Sequence, residues 1–518
     1  MAIPLPSARR DLWAFLAGCA AVTGGVLLHL PMFLMSASMG YREAGMPMDA
    51  GMMWGMLLIV LGVLLAGYGL YPKSTPVRRP VPAEDVAAPE DALLGLAHIG
   101  LMLVLVVALV IDVMKPASLG FVVPGMITEY GIPKAMVAWL PFAALVGTVA
   151  GSLIWGVLAD RYGRKATILL SAIMFIGTSI CGAMPDFWWN VGMCLMMGAA
   201  AGGMLPVTYT LLAEIMPSRH RGWALVLVGG LGSVGGYLLA SGLSSVLQPI
   251  YGWRIMWFLN LPTGLLLVAL SGFIPESVKF LQMWGRDAEA HRVMQRFSRG
   301  TLRLGKVLAR APTPPVRPAS SRRIAAVALS LTGLAWGLVN FGVLLWLPND
   351  LVSQGYSIAL SSRLLALSAL IALPTVLVAA LLYSLWSSKW ALIGSSAVTA
   401  LGLVALLRLQ GSGEAQASPV FAVSLLIIGA NGVIAVLLPY STEIFPVRVR
   451  ARWTGWIAGC TKLGGLAAQA LNLLAMPPSL TVAAIGVISI LGFAMLLTFL
   501  FGQDTRGADL RELEGGIA

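Results

Sequence analysis

The feature that most constrains this chain is a long series of apolar runs, separated by short polar stretches. The hydrocarbon core of a bilayer is ~30 Å thick, so a helix needs about 20 apolar residues to cross it. Because 58% of the residues are hydrophobic and only 11% are charged, the chain has too few polar side chains for the surface of a soluble globule. The sequence therefore predicts an all-α polytopic membrane protein.

Fourteen runs qualify as predicted transmembrane helices. They are centred near residues 21, 61, 110, 148, 176, 201, 235, 264, 336, 372, 398, 430, 464 and 491. Of the 34 Lys and Arg residues, about 27 fall on the termini and on loops of the same side, which the positive-inside rule places in the cytoplasm. We therefore expect a multi-pass protein of the inner (plasma) membrane with both termini cytoplasmic. The net charge of +12 reflects this orientation, and nucleic-acid binding is not expected.

The sequence offers little chemistry of the kind that enzymes use. The four cysteines, Cys19, Cys181, Cys194 and Cys460, fall in or beside apolar runs and show no C-x-x-C spacing, so neither a disulfide framework nor a metal site is indicated. There is no Walker loop and no grouping of nucleophile, base and orienting residue. We expect neither an enzyme nor an ATP-driven pump, and no cofactor.

A short charged stretch, G-V-L-A-D-R-Y-G-R-K, lies between two of the apolar runs. Its glycines and charged residues are Gly156, Asp160, Arg161, Gly163, Arg164 and Lys165. We expect Gly156 to let one helix end approach a neighbour, because it has no Cβ, and Gly163 to supply the permissive backbone of a tight reversal. The three cations favour a cytoplasmic loop, and a lone acid among them suggests an ion pair.

The chain also contains a parallel internal repeat. The segment around Glu214 and the segment around Glu443 match at one separation, 443 minus 214, or 229 residues. The matched positions include Pro217 and Pro446, Arg219 and Arg448, and Arg221 and Arg450. Such a repeat predicts two similar halves.

The charged stretch resembles the loop motif G-x-x-x-D-R-x-G-R-[RK] of the major facilitator superfamily, which joins transmembrane helices 2 and 3 of that fold. A later segment, P-E-S-V-K-F-L-Q-M-W-G-R-D-A-E-A from Pro275, is similar to a signature shared by sugar porters, aromatic-acid:proton symporters and organic-ion transporters. The resemblance implies the major facilitator fold of two six-helix bundles, here with an extra N-terminal two-helix hairpin, and transport by alternating access.

This resemblance implies five segments. They are the extra hairpin with a cytoplasmic linker (1–91), the N-terminal six-helix bundle (92–273), a central cytoplasmic loop (274–323), the C-terminal bundle (324–502) and a cytoplasmic tail (503–518). Within the central loop, we expect residues 292–310 to form an amphipathic helix on the inner surface of the membrane.

The extra hairpin is rich in methionine. Met32, Met35, Met39, Met46, Met48, Met52, Met53 and Met56 lie close to His29. Thioethers are soft ligands that suit Cu(I), but methionine is more often a flexible apolar filler between helices. We favour the second interpretation.

Four polar residues in apolar runs are candidates for the transport site: Asp112, Lys115, Asn431 and Lys462. Ionisable groups inside a membrane are costly and mark functional sites by default. We expect Asp112 to be the proton-coupling group, with Lys115, Lys462 and Asn431 binding substrate, because two cations against one acid favour an anion. An alternative for Asp112 and Lys115 is a mutual structural ion pair, and for Lys462 a structural role.

The loop motif and the repeat imply a gate. We expect Asp160, Arg164 and Glu214 to form a cytoplasmic charge cluster, with Arg221, Glu443 and Arg450 as the related charges of the repeat. The second half lacks its own copy of the loop motif, and only S-S-K-W, residues 387–390, stands there.

The predicted function is secondary-active, proton-coupled uptake of an organic acid anion, with an aromatic acid as one candidate, by a monomer in the bilayer. A symporter of sugars or other neutral solutes is an alternative. A sensor that kept the fold and lost transport is another, and it would explain the eroded second motif.

Overall fold

A computed structural model of the protein describes residues 9–71, 92–298, 319–411, 419–445, 447–474 and 479–505. Over these ranges the secondary structure is helical and contains no β-strand, which confirms the predicted all-α class. Most of the predicted linker before residue 92, the second part of the predicted surface helix (299–310) and most of the tail lie outside the described residues.

The chain divides into two compact units, one of Met1–Pro217 with Gly242–Leu304 and the other of Ser218–Ser241 with Gly305–Ala518. The first unit holds α1 (Arg9–Leu27), α2 (Leu30–Met35), α3 (Ala50–Leu70), α4 (Leu96–Tyr130), α5 (Lys134–Val137), α6 (Trp139–Tyr162), α7 (Arg164–Gly177), α8 (Phe187–Ile215), the end of α9 (Ser218–Tyr251), α10 (Ile255–Phe258), α11 (Asn260–Leu270), α12 (Val278–Met283) and α13 (Asp287–Ser298).

The second unit begins with the first part of α9. It also holds α14 (Ala319–Gly337), α15 (Leu347–Ser353), α16 (Ile358–Ala372), α17 (Thr375–Leu381), α18 (Ser388–Gly411), α19 (Val420–Ile444), α20 (Val447–Leu473) and α21 (Leu480–Phe501). Short 3-10 segments cover Ser36–Met39, Thr178–Ala183 and Ser271–Phe273, and π-helical segments cover Leu338–Leu344 and Leu382–Trp386.

Thirteen helices in the described part of the chain are long and apolar enough to cross a membrane. The fourteenth predicted span, centred near residue 464, coincides with α20. This helix has 27 residues and is therefore long enough to cross, but its arginines, lysine and glycines make it less apolar than the others.

The extra hairpin exists and packs onto the first unit. Helices α1 and α3 contact each other and α7. Met32 and Met52 are buried in the shared apolar core, and Met46, Met48 and Met56 pack against it. This placement fits methionine as an apolar filler.

Helix α4 contains two prolines, Pro116 and Pro124, and is continuous over 35 residues. The hydroxyl of Ser118 donates to Met114 O at 2.8 Å, and that of Thr128 donates to Pro124 O at 3.0 Å. These are the i−4 bonds that serine and threonine side chains make to the backbone within helices.

The close approach expected at Gly156 occurs elsewhere. Gly156 is exposed, and a Cβ added there would meet no atom of the described chain within 4 Å. The tight contact between α6 and α8 is made instead by Gly147 and Gly151, where a Cβ would overlap the backbone oxygens of Leu195 and Ala199. The expectation for Gly156 was wrong because its face of α6 does not point at a neighbouring helix.

Candidate functional site

The loop motif forms a very tight connection between two helices. Helix α6 ends at Tyr162 and α7 begins at Arg164, so Gly163 alone joins them. Gly163 has φ = 96°, which lies in the region that glycine adopts readily and other residues adopt at a cost. The predicted reversal at Gly163 is present.

A carboxylate from a distant segment caps this connection. Glu276, from the P-E-S segment, accepts hydrogen bonds from Arg164 N at 2.8 Å and Lys165 N at 3.2 Å. These are among the first N–H groups of α7, which have no partner within the helix, and the helix dipole favours a negative charge there. Burial raises the pKa of the Glu276 carboxyl to about 7, while the N–H donors and Arg164 lower it.

The expected charge cluster forms around Arg164. Its Nη2 lies 3.1 Å from Glu214 Oε1 and 3.9 Å from Asp160 Oδ1. The Arg164 and Glu214 side chains are 13% and 15% exposed, whereas Asp160 is 77% exposed. The close pair is therefore Arg164 with Glu214, and Asp160 stands at its solvent edge.

The other two cations of the motif lie in different surroundings. Arg161 is exposed. Lys165 is buried, and its Nζ makes no hydrogen bond within the described residues. The positive-inside rule treats these residues alike, but one side chain is exposed and the other is buried.

The repeat-related acid of the second unit has different partners. The Glu443 carboxylate accepts a hydrogen bond from Tyr383 Oη at 2.6 Å and another from Thr505 Oγ1. The charge of Arg221 also acts on Glu443. Arg450 belongs to α20, but its side chain lies outside the described residues.

The S-S-K-W segment that stands in place of a second motif binds the start of the tail. Ser388 N and Oγ donate to Asp504 Oδ1 at 3.2 and 3.1 Å. Lys389 Nζ donates to Phe499 O at 2.6 Å. Hydrogen bonds to the tail and to the end of α21 thus hold this corner of the second unit.

The two charges of α4 lie deep in the first unit. Asp112 is 5% exposed and Lys115 is 1% exposed, and the charge of Asp112 acts on Lys115. The Lys115 ammonium lies 3.3 Å from the centroid of the Phe175 ring. Its Nζ makes no hydrogen bond within the described part of the chain, and the ring offers this buried ammonium a cation–π contact.

Lys462 lies beside two aromatic rings of the second unit. Its Nζ is 5.9 Å from the centroid of Trp336 and 5.4 Å from that of Phe341. The two rings meet edge to face, with centroids 5.9 Å apart and planes at 88°. A half-buried ammonium next to two rings can attract a carboxylate while the rings contact an apolar or aromatic body.

Close helix packing builds this corner. A Cβ at Gly464 would overlap Leu334 O, so glycine allows α20 to approach α14. Trp336 Nε1 donates to Ala430 O at 2.8 Å, which joins α14 to α19. The next residue, Asn431, donates to Ile427 O at 2.9 Å and accepts a hydrogen bond from Ser233 Oγ.

Four residues of these sites were not predicted from the sequence: Glu276, Trp336, Phe341 and Ser233. The signature P-E-S was a signal for Glu276, because it accompanies the loop motif in the families that share it. The two aromatic residues carried no signal above the many others in apolar runs.

Comparisons with known proteins agree with this architecture. A family model described as the Major Facilitator Superfamily matches residues 100–468. The inward-open xylose transporter XylE from E. coli has a TM-score of 0.64 and 16% identity, over 80% of this chain and 99% of that chain. At this identity the likeness shows the fold alone.

Several curated relatives are transporters. The niacin transporter NiaP of Acinetobacter baylyi is 26% identical over 82% of this chain and 98% of that protein. The 4-hydroxybenzoate transporter PcaK of the same species is 26% identical over 69% of this chain and 80% of that protein. A gallate transporter of Pseudomonas putida is 26% identical over 82% and 93%.

The resemblance drawn from the loop motif is thus confirmed, as is the prediction of a transporter rather than an enzyme. The family model covers most of the chain, and the described residues include thirteen helices that are long and apolar enough to cross a membrane. The chain belongs to the Major Facilitator Superfamily and is a multi-pass membrane transporter.

Proposed function

We propose that this transporter carries out secondary-active, proton-coupled uptake of an organic acid anion, with aromatic acids as its preferred class. The observation that carries this proposal is the position of Lys462 beside the rings of Trp336 and Phe341. An ammonium supplies a charge-assisted hydrogen bond to a carboxylate. The edge-to-face rings offer an apolar surface to a flat substrate.

The relatives support the same substrate class. Niacin, 4-hydroxybenzoate and gallate, which appear in their names, are all aromatic rings that carry one carboxylate. Asn431 adds an amide close to Trp336, since Trp336 bonds the carbonyl of the preceding residue. An amide can donate to a ring substituent or to the carboxylate.

Asp112 is proposed as the proton-coupling group. It is a carboxyl in an apolar span with Lys115 three residues away on the same helix face. A buried acid exchanges a proton when the balance between desolvation and a neighbouring cation changes. Lys115 is enclosed between α4 and α7, and we propose that its charge sets that balance. We also propose that Lys115 contacts substrate anions.

The charge cluster of Arg164, Glu214 and Asp160, capped by Glu276, is proposed as part of the cytoplasmic gate. In this proposal Glu443 and Arg221 form the corresponding part of the gate in the second half. Tyr383 binds Glu443 there, where a second loop motif would supply a cation. The protein would act as a monomer in the inner membrane, with both termini cytoplasmic.

The test is counterflow in proteoliposomes that contain the purified protein. Vesicles preloaded with unlabelled benzoate should take up labelled 4-hydroxybenzoate or nicotinate in a saturable manner, because exchange needs no driving gradient. Labelled xylose should not exchange, and protein-free vesicles give the background. Exchange of xylose alone would support the neutral-solute alternative. If no solute exchanged while the protein remained folded, the sensor alternative would replace the proposal.

A further inference from the structure

A buried charge cluster joins the extra hairpin to the body of the first unit, at the end of α4 away from the loop motif. It consists of Glu43 from the hairpin, Glu129 from the last turn of α4 and Arg254 from the turn between α9 and α10. The side chains of Glu43 and Arg254 are 0% exposed and that of Glu129 is 4% exposed. Three charged groups this deeply buried need a full set of partners.

Arg254 is held firmly by the body. Its Nη2 lies 2.7 Å from Glu129 Oε1, and its Nη1 donates to Met184 O at 2.9 Å and Gly182 O at 3.2 Å. Glu129 also accepts a hydrogen bond from Trp253 Nε1 at 2.7 Å. Arg254 and Glu129 therefore form a complete pair without the hairpin.

The hairpin attaches to this pair through its loop. Glu43 N and Ala44 N donate to Glu129 Oε1 at 2.7 and 3.0 Å. Two residues earlier, Tyr41 has φ = 61°, which is unusual for a bulky residue and requires support from its surroundings. Its ring packs on Phe33 and Tyr251. The loop is thus built to bring residue 43 to the end of α4.

The Glu43 side chain is the weakly held member of the cluster. Its Oε1 accepts from Ser36 Oγ at 3.3 Å, while its Oε2 accepts no hydrogen bond from the described residues and lies 3.6 Å from Arg254 Nη1. One guanidinium thus faces two carboxylates, and Glu129 has the shorter contact. Protonation of Glu43 would remove the surplus negative charge.

One member of the cluster, Glu129, borders a surface cavity. This cavity of ≈ 430 Å³ is lined by the hairpin loop, by the end of α4 and by the start of α8. Its lining includes Ala44, Met46, Glu129, Tyr130 and Asp186. Two ionisable groups face Glu43 from the elements packed against it, Arg254 and Glu129. Tyr130 lies next to them and accepts a hydrogen bond from Arg254.

We propose that Glu43 is a proton-binding site, distinct from the transport site, through which the acidity of its side of the membrane controls how firmly the hairpin docks on α4. Neutral Glu43 leaves Arg254 and Glu129 as a balanced pair and keeps the hairpin docked. Ionised Glu43 places a second carboxylate in the same buried volume and loosens the loop. Glu129 lies in the last turn of α4, the helix that carries Asp112 and Lys115. Docking of the hairpin therefore restrains the end of that helix.

The direction of the pH dependence follows from the pKa of Glu43. Burial raises this pKa from 4.5 to about 7, Arg254 lowers it and Glu129 raises it further. Between these two pH values the docked form binds more protons than the undocked form, so docking is strongest on the acid side and weakens as the pH rises through about 7.

The test is infrared titration of the purified protein, which needs no substrate and is independent of the proposed function. A component of the carbonyl band of protonated carboxylic acids should disappear with a midpoint near 7, and Glu276, whose pKa is also raised to about 7, contributes a second component that Glu43→Gln leaves in place. Glu43→Gln should lose the first component. Asp49→Asn, which removes a carboxyl from the same hairpin at the cap of α3, should keep it.

If Glu43→Gln does not fold, Glu43→Asp provides the second variant. It keeps an ionisable carboxyl but shortens its reach, so the midpoint should move. The proposal is overturned if Glu43→Gln retains the full band, or if the midpoint lies at the ordinary value for glutamate, 4.5. It is equally overturned if Glu43→Asp leaves the midpoint unchanged.

Discussion

The Arg164 guanidinium of the loop motif lies 3.1 Å from the carboxylate of Glu214 at the end of α8. Both side chains are largely shielded from water. Exposed ion pairs contribute ~0–1 kcal/mol, and removing one partner of a fully buried pair costs ~3–5 kcal/mol. We expect Glu214→Gln to lower the free energy of unfolding by about 1–3 kcal/mol, between these limits.

A double-mutant cycle with Arg164→Gln checks this pair by thermal or denaturant unfolding. The double variant should be less destabilised than the sum of the single ones. Asp160→Asn is the matched control, because Asp160 is exposed and 3.9 Å from the same guanidinium, and its cost should stay below about 1 kcal/mol. Strict additivity of Arg164→Gln and Glu214→Gln would show that the pair has no coupling.

The two glycines of the motif should respond in opposite ways to alanine. Gly163→Ala places a Cβ at a positive φ and against the Glu276 carboxylate, so we expect a loss of ~1–3 kcal/mol of stability. Gly156→Ala adds a methyl group to an open helix position and should be neutral or stabilising by up to about 1 kcal/mol. The measurement is the free energy of unfolding of the two variants, compared with that of the parent. Equal changes in the two variants would contradict the structure.

The orientation in the membrane can be tested with a thiol reagent that does not cross the bilayer. The four native cysteines are all buried, so an added one is labelled selectively. In intact cells, Gln354→Cys should react and Gln295→Cys should react only after permeabilisation, because the positive-inside rule places the central loop in the cytoplasm. The reverse pattern would invert the proposed topology.

Patterns along the sequence predicted the elements whose determinants are local. The apolar runs located the helices, and the ten-residue motif located the reversal at Gly163. The pairing of Arg164 with Glu214 could also be expected, since opposite charges at the ends of neighbouring helices tend to meet.

Contacts between distant segments could not be predicted in this way. Glu276 caps α7 from 112 residues away, and only the folded chain shows which of several acids reaches those amides. The error at Gly156 has the same origin, because the sequence does not tell which face of α6 meets α8. No pattern in the sequence indicated that aromatic rings lie beside Lys462, because aromatic residues are common in the apolar spans.

Asp112 should be needed for accumulation but not for exchange. Asparagine cannot hold a proton, so Asp112→Asn should abolish uptake driven by an imposed pH gradient while counterflow continues. The two assays use the same vesicles, and preserved counterflow shows that the variant is folded and binds substrate. Uphill uptake in Asp112→Asn with the pH dependence of the parent would remove Asp112 from the coupling and favour a structural ion pair with Lys115.

The central claim is that Lys462 recognises a carboxylate beside Trp336 and Phe341. The most direct measurement compares inhibition of counterflow by 4-hydroxybenzoate and by 4-hydroxybenzamide, which share a ring but differ in charge. A hydrogen bond to a charged group contributes ~1.5–3 kcal/mol, so Lys462→Gln should weaken inhibition by the carboxylate about tenfold or more. Inhibition by the amide should change far less, and Lys134→Gln, at an exposed lysine, should alter neither. Equal weakening of both inhibitors by Lys462→Gln, or of neither, would contradict the claim.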